Sequence, residues 1–248
     1  MNDNWNNNYQ NGYQNGYDTA VQAENEMTLR RYVASVMRKV YGKMTLGLLL
    51  TALTSFLVLS SETLLSLLFS STATIWILFA IEIGLVIYLS ARIEKLSSTT
   101  ATIMFYLYSA INGIALTPIF LAYTGTSIAT TFAITAGTFG AMAIFGYVTR
   151  QDLSKMGSYL IMGVIGLIIC GIVNAFFLHN SLMELLISGA GVLIFVGLTA
   201  WDTQMIKRMC AEADPSTLGK VATMGALSLY LDFINLFLYL LRFFGSRD

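Results

Sequence analysis

Charge is what this sequence has least of. Of its 248 residues only 11% are Asp, Glu, Lys or Arg, against 56% hydrophobic ones, and the mean hydropathy is +0.66. A soluble domain carries about a quarter charged residues, so a chain this poor in charge presents most of its surface to lipid. There is no basic excess either: 14 basic and 14 acidic residues cancel, and with them goes the footprint of a nucleic-acid binder. The single histidine, His179, cannot build a zinc site alone. The two cysteines, Cys170 in an apolar run and Cys210 in a polar one, read as free thiols rather than a disulfide or metal framework. No G-x-S-x-G elbow and no P-loop occur, and the last apolar run holds no lysine for a retinal Schiff base. The expectation is a membrane protein that is not an enzyme and has no cofactor.

What is present divides the chain in three. Residues 1–26 open on repeated Asn, Gln, Gly and Tyr with almost nothing to bury, and read as a disordered cytoplasmic tail. The tail lacks the basic and apolar opening of a signal peptide. Residues 27–43 turn helical: Leu29, Val33, Val36, Met37 and Val40 share a face with Arg30, Arg31, Arg38 and Lys39 mostly off it. That is the pattern of an amphipathic helix lying at a lipid headgroup layer. From 44 to 245 follow seven apolar runs, at about 44–61, 74–92, 101–123, 127–148, 157–178, 182–204 and 221–243, each near the roughly 20 residues a membrane helix needs. The alternating ten-residue segments of a barrel are missing. The fold class is therefore all-α, integral to the membrane, with seven spans. Small residues such as Gly137, Gly140, Gly146, Gly163, Gly166 and Gly171 suit close helix packing.

Lys and Arg orient the bundle. Arg30, Arg31, Arg38, Lys39 and Lys43 precede the first span; Arg92 and Lys95, then Arg150 and Lys155, then Lys207, Arg208 and Lys220 fill the even connections. Twelve of the fourteen basic residues thus share one side, which the positive-inside bias makes cytoplasmic, N-terminus included. Arg242 and Arg247 fall on the other side, which makes a re-entrant last span an alternative.

Ionisable side chains within the bilayer cost several kcal/mol on insertion scales, about 2.5–3.5 each. Four stand out. Asp202 ends the sixth span, Asp232 lies about 15 Å into the seventh at the helical rise, Glu82 sits mid-way along the second, and Arg242 near the outer end of the seventh. Asp232, Asn235 and Tyr239 fall on one helix face as a polar stripe. Arg242 is close enough in depth to snorkel towards Glu82. Two aspartates on neighbouring spans resemble an intramembrane aspartyl protease, but the G-x-G-D context is missing, since Asp202 follows Ala200-Trp201 and Asp232 follows Tyr230-Leu231.

GYVTRQDLSKMGSYL (146–160), WDTQMIK (201–207), LSLYLDFINLFLYLLRFFG (227–245) and the stretch 117–147 together resemble the Bax inhibitor-1 family, also called the transmembrane Bax inhibitor motif family, in its bacterial form. The resemblance runs from about Met27 onward. It implies six helices around a central seventh and a pH-sensitive calcium leak, with Ca²⁺ as the transported ion, Ca²⁺ and protons as partners and no resident cofactor. It also implies a pH sensor, matched by Asp202 and Asp232, both of which could ligate calcium through carboxylate oxygens. An arginine ending the second helix, matched best by Arg92, would bond the sixth-helix aspartate in one state. Glu82 and Arg242 fall where the family has an outer charged pair. Location in the cell (inner) membrane and a stress-response role follow from the same resemblance. Regulation by contact with a membrane protein partner, such as a membrane protease, and proton-coupled cation exchange are the alternatives.

Overall fold

The computed structural model describes the backbone of residues 3–69, 71–93 and 95–246; the side chains of residues 1–21 and 23 also lie outside the described residues. The order is α1 (Asp3–Leu59), α2 (Glu62–Phe69), α3 (Thr72–Arg92), α4 (Ser98–Ala122), α5 (Gly125–Val148), α6 (Ser154–Val173), α7 (Ser181–Glu212) and α8 (Leu218–Phe244). No strand occurs among the described residues. Among the described residues seven helices are long and apolar enough to cross a membrane, and they fall on the seven runs read from the sequence. α2 is an addition: one short helix in the first connection. The segment 27–43 is not a separate element but the middle of α1, and the backbone of 3–26, read as a disordered tail, continues the same helix.

Short polar connections start the helices. Ser71, Ser97, Thr124 and Asn180 each accept a hydrogen bond from a backbone N–H of the first turn they precede, which satisfies donors that lipid could not. A five-residue π-helical turn, Asn174–Leu178, continues α6 and ends at His179, whose φ of 50° lies in the left-handed region.

α8 is the innermost element. Two-thirds of its apolar window (67%) is buried, against 6–39% for the other spans. Four helices pack on it: α1, α4, α5 and α7. The expected ring of six is therefore a ring of four, with α3 packed chiefly on α4 and α6 on α7. The reason lies in the surface each offers, since α6 buries only Gly157 and Leu167 while α8 buries residues on every side. α8 is also continuous over 27 residues, about 40 Å at the helical rise, so it is long enough to cross without the break a re-entrant segment needs.

Polar contacts fix which ends lie together. Lys43 Nζ donates to Thr102 Oγ1 and Thr223 Oγ1, both at 2.6 Å, clasping α1, α4 and α8 at one end. At the other end the Ser246 carbonyl accepts from Thr124 N at 3.2 Å and Ser246 N donates to Ser127 Oγ at 2.9 Å. The basic connections therefore share one face of the bundle.

Candidate functional site

Two glycines bring α7 to its place. A Cβ on Gly146 would overlap the Ala200 carbonyl oxygen, and one on Gly157 would overlap the Trp201 indole. Only the bare backbone lets α5 and α6 approach α7 this closely. That approach pins the turn of α7 that carries Asp202, whose exposure is 7%.

Asp202 faces Asp232 of α8, itself 5% exposed, and the two carboxyls interact directly. The Asp232 Oδ2 oxygen is buried without a hydrogen-bond partner. Neither carboxyl stands in an ion pair among the described residues. Two carboxylates at contact in a low-dielectric interior do not both ionise cheaply, so the arrangement suits a shared proton. Of the polar stripe of α8, Tyr239 also faces α7: it lies against Gly191 and stacks on Phe195 at 5.7 Å. Asn235 turns back instead, its Nδ2 donating to the Leu231 carbonyl at 2.8 Å.

The connection between α5 and α6 is latched onto α7 just beyond this pair. Gln204 Oε1 accepts from Leu153 N at 2.9 Å, and Gln204 Nε2 donates to the Gln151 carbonyl at 2.8 Å. Arg208 Nη2 donates to Asp152 Oδ1 at 2.7 Å and Nη1 to Ser154 Oγ at 2.7 Å. Lys207 Nζ donates to the Tyr147 carbonyl at 2.7 Å and lies over the same ring. Asp152 is fully exposed, yet the Arg208 guanidinium beside it, helped by the Ser154 N–H, holds its carboxyl well below the usual carboxylate range.

The outer charged pair does not form as expected. Glu82, 8% exposed, accepts from Asn112 Nδ2 at 2.9 Å, while Arg242 Nε lies 3.6 Å from Glu184 Oε1. Glu184 opens α7 beside the end of α8, so a shorter reach satisfies the arginine. Glu82 instead begins a buried polar chain. Asn112 Oδ1 accepts from the Tyr230 hydroxyl at 3.0 Å, and that hydroxyl lies 2.6 Å from Thr51 Oγ1. The chain links α3, α4, α8 and α1. Sequence reading passed over Asn112 and Tyr230, although Asn112 is a bare amide within an apolar run.

Nor does the structure pair Arg92 with Asp202. Arg92 is exposed at the end of α3, which packs chiefly on α4, and it stands in no ion pair among the described residues. No group of three or more His, Cys, Asp or Glu gathers among the described residues. The aspartate pair offers two carboxylates, fewer oxygens than the six to eight a resident Ca²⁺ takes.

Seven apolar helices, with α8 the most buried of them and an acid pair at its contact with α7, define a polytopic membrane protein with paired carboxyls in its core. The family description "Inhibitor of apoptosis-promoting Bax1" matches residues 33–248. The chain is 47% identical over 221 residues to the inner membrane protein YbhL of Escherichia coli K12, covering 88% of this chain and 94% of that one. A Borreliella burgdorferi protein is 47% identical over 213 residues (85% and 91%), and protein RP147 of Rickettsia prowazekii 45% over 220 (88% and 91%). The chain belongs to the Bax inhibitor-1 family.

Proposed function

We propose that this protein is a pH-sensitive calcium leak of the bacterial inner membrane, set by the contact between Asp202 and Asp232. The observation that carries the reading is the meeting of two buried carboxyls across the α7–α8 interface, neither in an ion pair among the described residues. With one proton between them the carboxyls attract and hold the helices together. With both ionised they repel, and the α7–α8 contact is the one that must give. Separated carboxylates then face the path as oxygen ligands for a hard cation. The switch so described works without Arg92. The name of the Escherichia coli relative supports the location.

The test is calcium flux into liposomes holding the purified protein, taken across a pH series. Flux should vary with pH between about 5 and 8, the range over which a coupled carboxyl pair can titrate. Asp202→Asn and Asp232→Asn should each flatten that curve, and the double variant should add little to either single. Wild-type-like curves in both single variants would defeat the assignment. A wild type that passes no ion would favour a regulator acting by contact, and a fixed proton-to-calcium ratio would favour an exchanger.

A further inference from the structure

α1 and α5 both pack against α8 and α7 yet scarcely touch each other. Between them runs a crevice. One part, about 550 Å³, lies between Met37 and Tyr41 of α1 and Phe139, Ala143 and Ile144 of α5. A second, about 410 Å³, continues it along Leu48 and Ala52 of α1 and Ile128 and Phe132 of α5, with Phe233 and Phe237 of α8 as floor. From Ala34 to Ala52 the crevice follows about 27 Å of α1 at the helical rise, enough for an extended acyl chain. Gly140 leaves it open, since a Cβ there would meet nothing.

The end of the crevice is charged. Arg38 stands at the rim of the first hollow. Next to it, and sharing Tyr147, is a hollow of about 480 Å³ walled by Arg30, Arg150 and Lys207. Two acids stand by this group and each is already paired: Glu26 with Arg30 at 3.5 Å and Asp152 with Arg208 at 2.7 Å. Arg38 and Arg150 form no ion pair among the described residues. Four cations over one end of an apolar slot match a ligand with an anionic head and an apolar tail.

We infer that the α1–α5 crevice is a binding site for an anionic phospholipid of the leaflet that bathes the basic face, its phosphate on Arg38, Arg150 and Lys207 and an acyl chain in the slot. The inference is independent of the calcium reading. It adds that the lipid tail would lie directly on Phe233 and Phe237 of α8.

Native mass spectrometry of the purified full-length protein, with equal dioleoyl phosphatidylglycerol and dioleoyl phosphatidylcholine added to the detergent, tests it. The wild type should retain the anionic lipid in preference. Arg38→Gln and Arg150→Gln should each lower the preference about fivefold while leaving phosphatidylcholine retention as it was. Gly140→Trp, which fills the slot, should reduce both lipids. Because the readout is a ratio within one folded sample, a loss of yield does not mimic it. Equal retention of the two lipids by the wild type would overturn the site, as would a preference that survives both arginine variants. Glycerol 3-phosphate alone binding as well as the lipid would also overturn it, by showing an anion site without a tail.

Discussion

Tyr230 sits where three helices meet. Its hydroxyl joins Asn112 of α4 to Thr51 of α1 from the buried face of α8, two residues before Asp232. Removing it in Tyr230→Phe leaves the Asn112 oxygen without its donor. The expected loss is about 0.5–2 kcal/mol, in line with hydrogen bonds inside membrane bundles, seen as a lower melting temperature in detergent. Asn112→Leu should cost a similar amount, and the double variant less than the sum, since both break one chain. At the outer end, Arg242→Leu combined with Glu184→Gln should show coupling of about 0.5 kcal/mol, as befits a half-exposed pair. Combined with Glu82→Gln its effect should simply add. The depth of Glu82 and Arg242 was legible in the sequence, and their partners were not. Depth follows from counting along one helix, whereas partners depend on how neighbouring helices are rotated. Asp202 and Asp232 were easier because the α7–α8 hairpin sets both depth and neighbour.

The α5–α6 connection shows the same limit for an element. Asp152 looks from the sequence like a solvated loop carboxylate, but it and Gln151 tie the loop to Gln204 and Arg208 of α7. Its titration runs in one direction: an acid held low in the fold contributes above its free value, near 3.9, and that contribution fades only as pH falls through the lowered one. Between pH 5 and 8 the latch therefore keeps its charge. Asp152→Asn should speed amide hydrogen exchange through 149–156 while leaving the pH profile of any flux unchanged. A changed profile would move the sensor outward from the aspartate pair to this loop. Glycine contacts make a second prediction at this scale. Gly146→Val drives a side chain into the Ala200 carbonyl and should destabilise the bundle by about 1–3 kcal/mol, measurable by thermal unfolding. The sequence marks Gly146 and Gly157 as small residues but not which of its many glycines face a neighbour, because helix rotation is again the missing quantity.

For the whole molecule, the contacts at the two ends give α1 and α8 opposite exits from a seven-span bundle. With a basic face inside, single cysteines at Ser71 and Thr126 in a cysteine-free background should label from outside intact cells, and one at Ser97 should not. Labelling of all three from one side would reverse or break that orientation. The order in which the helices are made has a further consequence. α8 follows the other six spans in the chain and yet supplies the centre on which α1, α4, α5 and α7 pack. Those four are synthesised before their common partner, so the core cannot be complete until α8 has been made. Until α8 arrives, the early spans are held by pairwise contacts such as that of α1 with α4, while Asn112 and Lys43 wait for Tyr230 and Thr223. Assembly of this bundle is completed by its final span, entering like a keystone among helices already in the bilayer.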